Sequence, residues 1–277
     1  MGATPRFFLL TLALPLKFSG AIGFRQGTAS AVPKNQNRFG ALAPEVWLKK
    51  FLHGMARAAC ELGITIIGGD TTKGDRIFIS ITALGEIAPG CALTRSGANP
   101  GDLVYVGGKV GRAALGLELV LRGLAGDRRY RGLTQPHLYP KIRVALGSWL
   151  GRHHIASSAM DISDGLSTDI GRLCGASQVG AKIYADKIPS VVIPAAAAQK
   201  LGKRKLDPLQ LALHGGEDYE LLFTIPPSQV KKLRNAPGAS ELTAIGEVTR
   251  NKRIVLVSHD SSHAPLRPGG WDPFRAS

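Results

Sequence analysis

The chain has 277 residues, 44% of them hydrophobic, which is enough to bury one large core or two modest ones. Its mean hydropathy of +0.04 argues against a disordered chain. The net charge of +15 suits a polyanion, but Lys and Arg are dispersed and aromatic residues make up only 6%, which argues against a nucleic-acid partner. A solvated basic surface without a specific partner is an equally good interpretation of the charge.

An apolar run near the start of the chain has two interpretations. Arg6 precedes residues 7–14, and small residues follow, a pattern that loosely resembles a secretory signal and would suit a secreted basic protein. The run is too short to span a membrane, and we expect no membrane partner. Because Thr11 interrupts it and Pro5 and Pro15 bound it, we favour a strand over residues 7–14 within the first domain.

The next segment, residues 17–44, lacks a steady period and is rich in Gly, Ser, Ala, Asn and Gln, so it is interpreted as a long loop or disordered insert. Apolar residues then recur at helical spacing from Leu48 to Leu62, and Gly63 is placed to end that helix. A strand over residues 64–67 should carry Gly68-Gly69-Asp70 at its end, and a second strand is predicted over residues 77–84.

After a turn-rich boundary at residues 97–101, strand and helix patterns follow one another without strict βαβ regularity, which favours an α+β fold. The predicted strands cover residues 103–106, 156–162, 181–184, 219–225, 244–248 and 254–257. The predicted helices cover residues 112–121, 142–150, 166–174 and 208–213.

The three cysteines, Cys60, Cys91 and Cys174, are odd in number and widely spaced. They exclude a Cys-rich zinc site and fit a reducing compartment, so we predict a cytoplasmic protein. Each is expected to be a small buried hydrophobic residue.

Three short acidic clusters, each set among glycines, stand out from the basic chain at residues 68–72, 161–165 and 215–220. Carboxylates at the ends of apolar runs can gather divalent cations, and glycines let the backbone approach a phosphate that such cations would bridge. The combination predicts metal-assisted chemistry on a phosphorylated substrate. The sequence has no Gly-Lys-Ser/Thr motif, which argues against a P-loop kinase.

Taken singly, the acidic residues have structural interpretations as well. Asp161 and Asp164 can meet one hard cation across a turn, and Ser163 can offer its hydroxyl or its amide to a phosphate. An Asx turn that caps the helix from Leu166 explains the same residues equally well. For Asp70 alone, a turn is the better interpretation.

Five ordered motifs carry a resemblance to a known family. They cover residues 67–72, 92–106, 160–166, 215–224 and 270–274. In this order they resemble the thiamine-monophosphate kinases, which belong to the aminoimidazole-ribonucleotide-synthetase-like superfamily. The resemblance extends from about residue 45 to the C-terminus.

The resemblance implies a two-domain α+β fold and ATP- and Mg²⁺-dependent phosphorylation of thiamine monophosphate to thiamine diphosphate. Residues 1–96 would be the remnant of an N-terminal ATP- and metal-binding domain with an insert at 17–44, and residues 97–277 would form the C-terminal α+β domain. Since both reacting phosphates are anionic, catalysis would depend on positioning and on charge neutralisation, without a catalytic side chain of its own.

The resemblance also implies roles for single residues. The implied metal ligands, expected to gather in one cluster, are Asp70, Asp161 and Asp164. The residues implied to contact the nucleotide are Gly69, Asp70, Arg95 and Ser163. Glu217 and Trp271 would bind the thiamine side, where Trp271 could stack on a cationic heterocycle.

One departure from the family pattern changes the expectation for activity. The family carries an acidic stretch ahead of the Gly68-Gly69-Asp70 motif, whereas this chain has no acidic residue before Glu45, so it resembles a member with a truncated N-terminal domain. Missing metal ligands predict weak ATP binding and low turnover, and the alternative function is that of a non-catalytic nucleotide-binding remnant. A homodimer is possible, but the truncation argues against it, because the family dimerises through that domain.

Overall fold

The computed structural model describes residues 1–15, 44–201 and 206–272. The chain forms two compact units, a smaller one of Thr4–Glu86 and a larger one of Ile87–Ser277 together with Met1–Ala3. Apart from Pro44, the insert expected at residues 17–44 lies outside the described residues. The functional division into residues 1–96 and 97–277 stays a prediction.

The smaller unit is a three-stranded sheet with one helix. Its elements are β1 (Thr4–Leu14), α1 (Pro44–Leu62), β2 (Thr65–Lys73) and β3 (Phe78–Glu86). The central strand β1 pairs in parallel with β2 and antiparallel with β3. Its alternate residues, including Phe8 and Leu10, pack against α1 through Leu48 and Phe51. The strand predicted over residues 7–14 is therefore confirmed, and it begins three residues earlier.

Strand β2 differs from its prediction because it does not end at Ile67. The β1–β2 pairing passes over Ile67 and then continues to the last pair, Leu14 with Lys73. Gly69 has a φ of +146°, and a Cβ there would overlap the carbonyl oxygen of Leu10, so this approach of the two strands requires glycine. The two glycines thus accommodate an irregularity inside the strand, and Asp70 lies within β2 rather than at its end.

The larger unit contains a seven-stranded sheet and six helices within the described residues. Its strands are β4 (Leu103–Val106), β5 (Ser158–Asp161), β6 (Gly180–Tyr184), β7 (Leu221–Ile225), β8 (Thr243–Thr249), β9 (Ile254–Val257) and β10 (His263–Pro265). Its helices are α2 (Arg112–Leu121), α3 (Arg131–Leu138), α4 (Val144–Arg152), α5 (Leu166–Ser177), α6 (Ala195–Leu201) and α7 (Pro208–His214). The strand order is β10-β9-β6-β8-β4-β7-β5, and only the β6–β9 pair is parallel among these strands.

Helices cover both faces of this sheet, as the alternation along β4 shows. Val104 and Val106 belong to a core that includes residues of α5 and α7, whereas Tyr105 belongs to a second core with Leu146 and Leu150 of α4. Since neighbouring residues of a strand point to opposite faces, the two cores lie on opposite sides of the sheet. The predicted α+β class is confirmed.

The sequence failed to predict two helices and the exposure of one cysteine. Helices α3 and α6 were not predicted, and Pro136 inside α3 removes a backbone donor and so weakens any helical prediction there. Cys174 is buried, and its burial raises the thiol pKa to about 12, but Cys60 is exposed on α1, so the expectation of burial was wrong for Cys60.

Among the described residues, no helix is long and apolar enough to cross a membrane.

A buried ion pair holds the start of α4 to the start of β7. Arg143 Nη2 donates to Glu220 Oε1 at 2.9 Å, and the two side chains are only 9% and 6% exposed. Burial alone would lower the pKa of Arg143, but its hydrogen bonds to Glu220 and Glu241 outweigh that effect and raise the pKa. Both charges are therefore compensated inside the fold.

We predict that Arg143→Met lowers the free energy of unfolding of the larger unit by about 3–5 kcal/mol, because it leaves the Glu220 carboxylate buried and unpaired. Lys182→Met is the matched control, since Lys182 and Glu247 form a pair whose side chains are 42% and 39% exposed. That variant should lose at most about 1 kcal/mol. Urea denaturation followed by circular dichroism measures both, and equal losses would contradict the assigned burial of the Arg143 pair.

Candidate functional site

A buried carboxylate shapes the turn between β5 and α5. Asp169, in the first turn of α5, accepts hydrogen bonds at Oδ2 from the backbone amides of Ser163 and Asp164, at 3.0 and 3.1 Å. Burial raises the pKa of Asp169, although these amide bonds and the charge of Arg172 act to lower it. The turn is thus fixed from inside the protein, while Asp161 and Asp164 stay partly exposed.

Arg172 links the buried and the accessible carboxylates of this turn. Its Nη1 atom donates to Asp169 Oδ1 at 2.9 Å and also contacts the carboxylate of Asp164. Hydrogen bonding to Asp164 raises the pKa of Arg172. Asp164 therefore already accommodates a cationic group.

The acids of the cluster at residues 215–220 have different partners. Asp218 accepts from the amides of Gly111 and Ala113 at the start of α2, at 2.6 and 2.9 Å, and its burial raises its pKa to about 6. Glu220 forms the buried ion pair described above. Glu217 remains exposed. Two of these three acids therefore stabilise the fold, and Glu217 is the one available for binding.

Glu217 lies beside a histidine that the sequence did not single out. Its Oε2 atom is 3.1 Å from Nδ1 of His137, whose side chain is 18% exposed. Nδ1 is buried and makes no regular hydrogen bond, so the pair is a close contact between two polar groups. His137 belongs to the unpredicted helix α3, and no local sequence signal connects it to Glu217.

Backbone hydrogen bonds bring distant motifs onto the same turn. The amide of Glu217 donates to the carbonyl of Ser163 at 2.8 Å, and the amide of Trp271 donates to the carbonyl of Asp164 at 2.9 Å. Four of the residues implied by the family resemblance are therefore neighbours in the larger unit.

The pKa of Tyr219 shows how the carboxylates surround this region. Burial raises that pKa, and the charges of Glu217, Asp161 and Asp164 raise it further. Glu217, Asp161 and Asp164 therefore act on the same phenol, and Arg172 balances part of the charge at Asp164.

A cavity of about 380 Å³ opens beside Asp161 in the larger unit. Tyr219, Ile142 and Leu221 contribute to its mainly apolar lining, and Arg143 is a second charged residue at its wall. A cavity of this kind can hold a small aromatic ring whose polar substituents face the carboxylate.

Other implied site residues lie elsewhere. Gly69 and Asp70 belong to the smaller unit, and the meeting of Asp70 with Asp161 and Asp164 stays a prediction. Arg95 is exposed, and its carbonyl accepts from Ser177 Oγ at 2.9 Å, at the end of α5 opposite Asp164.

The turn fits a hard divalent cation that also binds phosphate. Among residues 1–15, 44–201 and 206–272, no three His, Cys, Asp or Glu side chains form a group that could hold a metal ion. Mg²⁺, however, is usually held by one or two carboxylates together with substrate phosphates. Asp161 and Asp164 can supply such oxygens, and a cation bound there would share the Asp164 carboxylate with Arg172 or displace it.

Comparison with known families defines the class of protein. Residues 1–87 match the family described as "AIR synthase related protein, N-terminal domain", and residues 99–259 match the corresponding C-terminal domain. The fold and the matched families together define an AIR synthase related protein.

Individual relatives define the family more narrowly. The thiamine-monophosphate kinase of Escherichia coli (strain K12) is 35% identical over 236 residues, which cover 83% of this chain and 70% of that protein. The thiamine-monophosphate kinase structure from Stenotrophomonas maltophilia K279a has a TM-score of 0.71 and 33% identity, covering 95% of this chain and 74% of that chain. AaThiL complexed with AMPPCP and TMP has a TM-score of 0.75 and 28% identity, covering 99% of this chain and 75% of that chain. The chain belongs to the thiamine-monophosphate kinase family.

The raised pKa of Asp218 generates a pH prediction. In the folded chain the pKa of this carboxyl is about 6 instead of 3.8, so between these pH values the folded state keeps a proton that the unfolded chain has released. The stability gained from this proton is lost as the pH rises through about 6. We expect Asp218→Asn, which cannot titrate, to remove up to about 3 kcal/mol of this decline in stability. Urea denaturation between about pH 4 and pH 7 measures it. A wild-type stability that rises relative to the variant across this interval would contradict the assignment.

Proposed function

We propose that the protein transfers the γ-phosphoryl group of ATP to thiamine monophosphate and so makes thiamine diphosphate. The 35% identity with the Escherichia coli thiamine-monophosphate kinase and the AMPPCP and TMP bound by AaThiL support this proposal. The structural observation that carries it is the docking of the Glu217 loop and of Trp271 on the turn of Ser163 and Asp164. That arrangement supports the proposal, because the groups that we assign to the two substrates then belong to segments that meet on one turn.

On the phosphate side, we assign Asp161 and Asp164 as Mg²⁺ ligands and Asp70 as a further ligand from the smaller unit. A bound Mg²⁺ would neutralise charge on the two phosphates, which otherwise repel each other. The protein's own contribution is to orient these carboxylates, and Asp169 supports that orientation through the turn amides. No side chain is required to form a covalent intermediate.

On the nucleotide side, we assign Gly69, Asp70, Arg95 and Ser163. The structure limits how Ser163 can act, because its amide already donates to Asp169. Its hydroxyl is therefore the group that we assign to a phosphate oxygen.

On the thiamine side, we assign Glu217 and Trp271. The Trp271 side chain is 68% exposed, so its indole face is accessible to a planar ligand. Thiamine carries a cationic heterocycle, and a cation over an indole face is stabilised by about 0.5–2 kcal/mol. The Glu217 carboxylate, beside His137, adds negative charge on the same side.

The cellular setting completes the proposal. We place the reaction in thiamine diphosphate biosynthesis in the cytoplasm, with support from the names of the relatives and from the sparse cysteines. The low turnover that the sequence predicts, and the possible homodimer against which the truncation argues, both stay predictions.

Substitution of the turn carboxylates tests the function. With ATP, Mg²⁺ and thiamine monophosphate, Asp161→Asn or Asp164→Asn should lower the rate of thiamine diphosphate formation on the order of a thousandfold, because each variant removes an anionic metal ligand. Chromatographic quantification of thiamine diphosphate measures the rate. Asp127→Asn is the matched control, since Asp127 caps a short helix and pairs with Arg129, and it should retain the wild-type rate.

The Escherichia coli relative serves as the positive control for the assay. If the wild-type chain binds ATP but forms no thiamine diphosphate under conditions in which the relative does, the non-catalytic nucleotide-binding alternative is correct. If both turn variants keep full turnover, the assigned metal ligands are wrong.

A further inference from the structure

Three consecutive backbone amides near the end of the described chain are each held by the region around the start of α5. The amide of Gly269 donates to Ser167 Oγ at 3.2 Å, and the amide of Gly270 donates to Thr168 Oγ1 at 3.1 Å. The third amide, that of Trp271, donates to the carbonyl of Asp164. We call residues 269–271 the strap.

A histidine orients one of the two hydroxyls. Ser167 is buried, and its Oγ lies 2.9 Å from Nδ1 of His214, the last residue of α7. Burial lowers the pKa of His214, which favours the neutral ring that can accept the Ser167 proton at Nδ1. In the tautomer that carries its proton on Nε2, Ser167 Oγ donates to Nδ1 and offers its lone pairs to the amide of Gly269.

The strap also lies too close to the turn for side chains at its glycines. A Cβ on Gly270 would overlap the carbonyl oxygen of Asp164, and a Cβ on Gly269 would lie against the ring of His214. The close approach and the three hydrogen bonds together fix the register of the strap. A shift by one residue would move Trp271 away from Asp164.

The exposure of Trp271 gives this register a consequence for binding. Because about two thirds of its side chain is exposed, packing alone restricts it weakly, and the position of its backbone decides where the indole lies. The backbone amide of Trp271 is hydrogen-bonded to the carbonyl of Asp164. The strap thus limits the indole to the positions that its rotamers can reach from a fixed point beside the turn.

We infer that Ser167, Thr168 and His214 are positioning residues for the acceptor substrate, acting through Trp271. They hold the strap so that an aromatic cation stacked on the indole presents its phosphate to the turn of Asp161 and Asp164. This inference rests on the proposed function, because that proposal assigns Trp271 to the thiamine side. It adds a positioning role for two hydroxyls and an imidazole, which act through the strap.

The test removes both hydroxyls with the double variant Ser167→Ala/Thr168→Val. Loss of two hydrogen bonds should raise the KM for thiamine monophosphate by roughly tenfold or more, with kcat and the KM for ATP within about twofold of wild type. Thr168→Ser keeps its hydroxyl and should retain the wild-type KM. Thr249→Ala is the control for hydroxyl loss elsewhere, since Thr249 Oγ1 donates to the carbonyl of Asn251 in the turn after β8.

A second measurement reports on the strap without relying on turnover. The fluorescence difference between each protein and its Trp271→Phe derivative isolates Trp271 from Trp47 and Trp149. In the double variant this signal should show lower anisotropy and stronger quenching by acrylamide. Should the double variant not fold, Thr168→Val alone, at a partly exposed position, provides the same test.

The outcomes separate this inference from the proposed function. Unchanged anisotropy, or lower anisotropy with an unchanged KM, would overturn the positioning role. If the wild type forms no thiamine diphosphate, the proposed function fails. The positioning role is then tested by titrating Trp271 fluorescence with thiamine monophosphate in the wild type and the double variant. Weaker binding by the double variant would support the inference, whereas equal binding or none by the wild type would overturn it.

Discussion

The site depends on one buried carboxylate, Asp169. A carboxylate inside a protein is costly unless hydrogen bonds and an opposite charge compensate it. Here the compensation comes from the amides of Ser163 and Asp164 and from Arg172. The carbonyls of the same two residues accept the amides of Glu217 and Trp271. The turn that Asp169 holds from inside is therefore also the turn on which both of these segments dock.

The same logic divides the acidic residues between fold and function. Asp218 holds the start of α2 and Glu220 pairs with Arg143, so neither is free to bind a ligand. Glu217 and Asp161 stay accessible and influence the same phenol, Tyr219. A cluster of carboxylates in a sequence therefore overstates the number of ligands, since some of them are consumed by helix ends and buried cations.

Much of the fold could be predicted from the sequence because its local patterns are strong. The strand over residues 254–257 was predicted with its observed bounds, and the helix over residues 112–121 likewise. The end of β2 could not be predicted, since two glycines indicate a turn unless the pairing with β1 is known. Helix α3 escaped prediction because Pro136 lies inside it.

The site was only partly predictable, because local motifs identify residues but not the distant partners that those residues contact. The ordered motifs indicated Ser163, Asp164, Glu217 and Trp271, and the structure brings these together. The roles of Asp218 and Glu220 depend on partners that lie 107 and 77 residues away in the chain, which local patterns cannot reveal. For the same reason no sequence pattern connects His137 to the loop of Glu217.

The most direct test is the rate of thiamine diphosphate formation by Asp169→Asn, compared with Asp218→Asn. Both variants replace a buried aspartate that accepts two backbone amides, but only Asp169 holds the turn. An asparagine oxygen at position 169 can still accept both amides, which share Oδ2, but its NH₂ group would face Arg172 and cannot accept from it. The charge that compensates Arg172 and links it to the turn is then lost. We expect a loss of turnover on the order of a hundredfold for Asp169→Asn and near wild-type turnover for Asp218→Asn, which lies outside the turn. Equal turnover by the two variants would contradict this expectation.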